Sequence, residues 1–214
     1  MRQVDLMIFD FDGTLVDSGA DLAEAVNYTL GALKMPTKET RQIIGYVGDG
    51  VKKLLERSLD NKNRHLLDEA LNIFGLYYEK HMMDNTKLYP HVLDVLQKFQ
   101  EKIKVILTNK RFCFTMTIAR RLEIDGYFAE IIGADSTPFQ KPDKRLIDDL
   151  LAKYSAERNK TVMIGDGVND IAVAKNSGVL SVAYLNGLGD SNALLSLCPD
   201  YSCESLLEIN SLFI

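Results

Sequence analysis

Four stretches of this sequence place acidic, hydroxyl and lysine side chains directly after short apolar runs. Asp10-Phe11-Asp12-Gly13-Thr14 follows the run Val4–Phe9, and Thr108-Asn109-Lys110 follows Val105–Leu107. Ile131–Ile132 leads into Gly133-Ala134-Asp135 and, a few residues on, Lys141-Pro142. Val162–Ile164 leads into Gly165-Asp166-Gly167-Val168-Asn169-Asp170. This mixture suits phosphoryl transfer. A carboxylate can attack phosphorus to form an acyl phosphate, dividing one hard displacement into two easier ones. Its charge must first be screened from the anionic phosphate, which Mg²⁺ does with carboxylate and carbonyl oxygens. Asp10 is the candidate nucleophile. Asp166 can supply a second carboxylate to the metal, and the Asp12 backbone carbonyl a further oxygen. The Asp12 side chain can give a proton to the leaving oxygen and then take one from water. Lys141, the Thr108 hydroxyl and backbone N–H groups after Asp10 can meet the charge that spreads over the equatorial phosphate oxygens.

Such groups act together only if the chain gathers them on one rim. In open parallel α/β sheets, ligands bind beyond the carboxyl ends of the strands. The four runs above, with a fifth at Val179–Tyr184, are short, apolar and separated by helical segments. That pattern predicts a doubly wound parallel sheet covered on both faces. Residues 17–86 read differently, with no convincing strand. Ser18 with Asp21 reads as a capping pair, and Leu22, Val26, Leu30 and Leu33 then share a helix face. Pro36 breaks that helix and Thr37 can cap the next. The spacing of Val51, Leu54, Leu55 and Leu59 predicts another helix, and Leu66, Leu67, Ala70, Leu71, Phe74 and Tyr78 a longer one. The expected organisation is an α/β core of residues 1–16 and 87–214 with an all-helical cap of residues 17–86 inserted after the first strand. Its two crossings could act as a hinge.

The bulk composition narrows the partners. A chain of 214 residues that is 46% hydrophobic and 26% charged is of ordinary globular type. Its net charge of −5 argues against a broad nucleic-acid footprint. No run approaches a membrane span, and the N-terminus does not read as a signal peptide. Cys113, Cys198 and Cys203 include no C-x-x-C pair and read as reduced thiols. A cytoplasmic enzyme acting on a small phosphorylated metabolite, as a monomer or homodimer, is the expectation.

Each signal has a plainer counterpart. Asp10-x-Asp12-Gly13-Thr14 alone could be a polar turn, and lone lysines are mostly solvated. What lifts Asp10 and Lys141 above that background is the company of the other motifs. Gly165 to Asp170 could be a strand-to-helix turn capped by Asn169 or Asp170, a role compatible with supporting a metal ligand. Gly48-Asp49-Gly50, at a helix start, could offer N–H groups to a substrate carboxylate, unless Asp49 occupies those donors as a cap. Lys110 and Lys52 read as surface residues able to steer an anion. His65, His81 and His91 lack metal-ligand spacing, and Tyr77 and Tyr78 read as cap core.

The order of these motifs resembles the haloacid dehalogenase superfamily of phosphohydrolases over essentially the whole chain. The matching residues are Asp10-Phe11-Asp12-Gly13-Thr14-Leu15, Thr108, Lys141, and Gly165-Asp166 with Asp170. The helical insertion resembles that superfamily's C1 cap. Leu15-Val16-Asp17-Ser18, Tyr46-Val47-Gly48-Asp49-Gly50-Val51, Leu88-Tyr89-Pro90 and Thr108-Asn109-Lys110 are similar to the phosphoglycolate phosphatase group. The resemblance implies Asp10 as nucleophile and Asp12 as acid/base. It implies Mg²⁺ on Asp10, Asp12 and Asp166, with Asp170 in an outer position. Thr108, Asn109, Lys141, Gly48 and Gly50 are the expected substrate-binding residues. Two departures stand out: His91 follows Tyr89-Pro90 where glycine is usual, and Asp143-Lys144-Arg145 follows Lys141-Pro142 where a second proline is common. The expected reaction is hydrolysis of a small phosphate monoester, with phosphoglycolate favoured. A sugar phosphomutase, a pyrophosphatase or a nucleotidase would use the same residues, and a catalytically silent phosphate-binding protein is the reading from outside enzymology.

Overall fold

The computed structural model describes all 214 residues. Strand β1 (Leu6–Phe9) runs into the Asp10 loop, after which β2 (Val16–Asp17) leads outward. Four helices come next: α1 (Gly19–Ala32), α2 (Thr40–Ile44), α3 (Gly50–Ser58) and α4 (Leu67–His81). The chain returns through β3 (Lys87–Leu88) and α5 (Val92–Lys98). It then alternates β4 (Ile103–Leu107), α6 (Phe112–Arg121), β5 (Glu130–Ile132), α7 (Arg145–Tyr154), β6 (Thr161–Gly165), α8 (Val168–Ser177) and β7 (Leu180–Tyr184). It ends with α9 (Ser191–Ser196), β8 (Tyr201–Cys203) and α10 (Ile209–Leu212). No helix is long and apolar enough to cross a membrane.

The main sheet has the order β5-β4-β1-β6-β7-β8, and every pairing in it is parallel. Side chains alternate across it as the two-residue strand period demands. Met7, Phe9, Ile106, Val162 and Ile164 enter one apolar cluster, whereas Leu6, Ile8, Val105, Leu107 and Met163 enter the other. Both faces are therefore buried, which is why these strands read as unbroken apolar runs. The second cluster is closed by Leu146, Ile147, Leu150 and Leu151 of α7 with Val173 and Ala174 of α8. The first continues past Phe11 and Leu15 to Leu22, Leu54, Leu55 and Phe74, so cap and core share one body of packed side chains. After β1 the chain adds β4 and β5 on one side and β6, β7 and β8 on the other. This reversal opens a crevice at the carboxyl end of β1.

The doubly wound sheet and the helical insertion match expectation; several local features do not. The two crossings pair as a short antiparallel ribbon, with Val16 opposite Leu88 and Asp17 opposite Lys87. Neither the ribbon nor β8 was expected, because segments of two or three residues carry no readable period. Ser18 and Asp21 do not form a capping pair. The Ser18 hydroxyl donates to Asp12 at 2.5 Å, a charged acceptor that outcompetes a local N–H. Asp21 is buried and accepts from the backbone and side chains of Asn85 and Thr86 at 2.7–3.1 Å. It thus fastens the start of the insertion to its return. Thr37 caps nothing: α2 begins three residues later, at Thr40 after Glu39.

At one of the two departures the structure shows why glycine is usual. His91 has φ +67°, in the left-handed region, as the residue preceding α5. Glycine enters that region without a Cβ clash, whereas another residue costs about 1 kcal/mol or more there. The His91–Asp94 pair at 2.8 Å is exposed and contributes little in return. His91→Gly is expected to stabilise the fold by about 1 kcal/mol, or about 2–4 °C in melting temperature by calorimetry. A lower melting temperature would show that the histidine makes a larger contribution than its geometry indicates.

Candidate active site

Asp10 directly follows the central strand, and its N–H still continues the ladder to Ile164 at 2.9 Å. Its carboxylate is thereby carried to the rim between β4 and β6. One oxygen of that carboxylate accepts the Phe11 N–H at 2.7 Å and the Lys141 ammonium at 2.8 Å. Lys141 also donates to Asp170 at 2.5 Å and is almost wholly buried. Burial alone would lower its pKa. The charges of Asp10 and Asp170 outweigh that and raise it, so the lysine is held as a cation.

Oxygens of Asp10, Asp166 and Asp170 lie within 4.8 Å of one another, all three residues buried. Asp166 is held by the Thr14 hydroxyl at 2.8 Å and by the N–H groups of Leu188 and Gly189 at 2.9 and 3.1 Å. The approach is close. Gly13 has φ +88°, and a Cβ there would stand 2.0 Å from an Asp166 oxygen. Burial first, and then the charge of Asp10, push the carboxyls of Asp166 and Asp170 well above the ordinary carboxylate range. Lys141 pairs with Asp10 and Asp170 but not with Asp166, so the three buried carboxylates carry an excess of negative charge. Clustered carboxylate oxygens with unbalanced charge are the donor set a hard divalent cation such as Mg²⁺ takes, so the residues present fit that ion.

Asp10 and Asp166, both expected as ligands, are brought together. Asp170, expected further out, has an oxygen in the same cluster. The Asp12 carboxylate is not part of it, leaving the backbone carbonyl as the Asp12 atom that could serve a metal. That carboxylate accepts from Lys110 at 3.0 and 3.1 Å as well as from Ser18. Thr108 is buried in the cavity wall at the end of β4, its hydroxyl accepting the Lys110 N–H at 3.2 Å.

Asn109, expected to bind substrate, has its amide engaged by protein. It accepts the Lys141 N–H at 3.0 Å and donates to the carbonyls of Gly48 and Lys141 at 3.0 and 3.2 Å. It therefore positions the Lys141 loop and the cap loop. Asn109, Gly48 and Gly50 all line the cavity. Asp49 does not cap α3: its carboxylate takes Asn169 at 2.6 Å and pairs with Arg57.

Lys110 is not a surface lysine. Its side chain is only 6% exposed and donates to Tyr78 of the cap at 2.7 Å in addition to Asp12. Burial opposes its charge, but Asp12 and Tyr78 more than compensate and raise its pKa. The Tyr78 ring belongs to the cap core, as expected, but its hydroxyl reaches the site. Burial outweighs the neighbouring lysine and pushes its pKa up to about 12, so the phenol keeps its proton at neutral pH. Three further contributors carry little signal of their own in the sequence. Thr14 stands out there only as part of a motif. Leu188 and Gly189 follow the fifth apolar run, where the same rule of looking past strand ends finds them.

A cavity of about 60 Å³ lies above these groups, bounded by Asp10, Asp12, Thr108 and Lys110 below and by Leu22, Val47, Val51, Leu54, Phe74 and Tyr78 of the cap. A water needs roughly 10–15 Å³ of such space.

Residues 7–184 match the model of the haloacid dehalogenase-like hydrolases. A phosphoglycolate phosphatase of Vibrio cholerae is 31% identical over 221 residues, spanning 98% of each chain. One from Neisseria meningitidis is 34% identical, over 98% of this chain and 93% of its own. Among solved structures, a predicted phosphoglycolate phosphatase from Haemophilus somnus superposes with a TM-score of 0.93, at 27% identity and 99% coverage of both chains. By sequence and by fold, the chain belongs to the haloacid dehalogenase-like hydrolase family and sits among its phosphatases.

Proposed function

We propose that this chain hydrolyses a small phosphate monoester through a phospho-aspartate on Asp10, with 2-phosphoglycolate as the favoured substrate. The carrying observation is the placement of Asp10, Asp12 and Thr108 around one small covered cavity, with Lys141 ion-paired to Asp10. An Asp10 oxygen bonds to phosphorus as the bond to the leaving oxygen breaks, and Asp12 gives that oxygen its proton. Water then attacks the phospho-aspartate, Asp12 takes its proton, and inorganic phosphate departs from a regenerated Asp10. Thr108 and Lys141 meet the phosphoryl oxygens. Lys110 and Ser18, which hold the Asp12 carboxylate by three hydrogen bonds, fix its aim.

Asp10, Asp166 and the Asp12 carbonyl, with Asp170 beside them, would hold Mg²⁺. Bound there, the ion supplies charge screening between the nucleophile and an anionic ester. The substrate choice draws on the phosphoglycolate phosphatases similar over nearly the whole chain. Boundaries at 16/17 and 86/87 fit the ribbon of β2 and β3, which spans the first and begins at the second and suits a hinge between core and cap. The three unpaired cysteines, two of them exposed, suit a reducing, cytoplasmic setting.

Asp10→Asn, nearly isosteric but unable to form an acyl phosphate, is expected to lower kcat by on the order of 10⁴-fold or more while circular dichroism stays native. Near-native turnover by this variant would refute the nucleophile assignment. A chelator is expected to stop the wild-type reaction and added Mg²⁺ to restore it; full activity in chelator would remove the metal from the scheme. In a panel containing 2-phosphoglycolate, glucose 1-phosphate, pyrophosphate and AMP, the highest kcat/KM is expected for phosphoglycolate. Isomerised sugar without free phosphate would identify a mutase instead.

A further inference from the structure

Building on the phosphatase reading above, we propose that Lys110 and Tyr78 form the subsite for the leaving group and that it accepts a carboxylate next to the ester oxygen. The cavity wall opposite Asp10 comes from the cap and is largely apolar, through Leu22, Val47, Val51, Leu54 and Phe74. An apolar leaving group would need nothing more. Into this lining the protein nevertheless brings a buried ammonium and a buried phenol, bonded to each other at 2.7 Å.

The phenol carries the argument. Tyr78 is 1% exposed, and its oxygen accepts from Lys110. A hydroxyl has a hydrogen to donate as well, and no protein group accepts this one. Buried donors are rarely left without a partner, so the acceptor sits in the cavity: a water, or the group of a bound substrate that displaces it. The ring cannot turn aside freely: it stacks on Phe74 and meets Phe114 edge-on, both with centroids 5.3 Å away. Beside it stands the Lys110 ammonium, which already serves Asp12 and Tyr78; an anion placed there still gains from its charge, and a neutral hydroxyl does not.

Position specifies which anion. Lys110 also holds both oxygens of Asp12, the group that protonates the leaving oxygen. A carboxylate one carbon from that oxygen therefore falls beside Lys110 whenever the ester is aligned for cleavage. The other candidates are less suited. Arg111 is 55% exposed and turned to Asp135 at 3.5 Å. At the start of α3, Asp49 brings a carboxylate of its own, held by Arg57 and Asn169.

The test compares kcat/KM for 2-phosphoglycolate with that for 2-hydroxyethyl phosphate, which replaces the carboxylate by a neutral group, in saturating Mg²⁺. The wild type is expected to favour the carboxylated ester by on the order of 100-fold. Tyr78→Phe, which keeps the ring packing and does not touch Asp12, is expected to reduce that ratio about tenfold, chiefly through KM for phosphoglycolate. Lys110→Met is expected to reduce it by on the order of 100-fold, whatever it does to both rates through Asp12. A wild-type ratio near one overturns the subsite while leaving the phosphatase intact. Equal losses on both esters in both variants also overturn it, reducing the pair to supports of Asp12. Wild-type enzyme inactive on every ester, p-nitrophenyl phosphate included, overturns the phosphatase reading and the subsite together.

Discussion

The crowding of negative charge at the carboxyl end of β1 is the constraint around which this molecule is arranged. Asp10, Asp166 and Asp170 converge within 4.8 Å in a buried crevice, with Lys141 the cation between them. Carboxylates so placed repel one another and lose hydration, a cost that rises steeply as the local dielectric falls. Much of the neighbouring backbone answers that cost. The N–H groups of Phe11, Leu188 and Gly189 and the Thr14 hydroxyl all donate to it, and a divalent cation would complete the balance.

Asp12 lies two residues from Asp10 yet outside this cluster, and the difference is electrostatic. Its own cation, Lys110, and the Ser18 hydroxyl draw the carboxylate away. Two acids on one turn thus acquire separate surroundings and can take separate roles, one bonding to phosphorus and one handling protons. Lys110 further bonds to Tyr78 of the cap, so Asp12 is joined to the cap by an unbroken path of hydrogen bonds. Gly48, bound by Asn109 and Asn169 of the core, is a second such junction.

The architecture was legible because strands buried on both faces leave apolar runs. The residues just past the ends of those runs include Asp10, Thr108, Lys141, Asp166 and Asp170, so the run ends alone locate them together. Legibility stopped where function depends on contacts distant in sequence. Lys110 looks like any lysine until the cap residue Tyr78 and the loop residue Asp12 are seen on either side of it. Asn109 reads as a residue for substrate, and only the fold shows that its amide also ties Gly48 to Lys141, which lie on other elements. Asp21 looked like a local cap and instead reaches Asn85 and Thr86 across the whole insertion. The loop at Leu188 and Gly189 is a different case. Its place after the fifth run is visible in the sequence, but it acts through backbone N–H groups, which no residue type advertises.

The central claim is that the cluster of Asp10, Asp166 and Asp170 is a cation site, and thermal unfolding measured across a Mg²⁺ titration tests it without recourse to turnover. Binding to the folded state alone raises the melting temperature with ion concentration. A saturable rise is expected in the wild type, and its loss in Asp166→Asn. No rise in the wild type, or an equal rise in the variant, would contradict it.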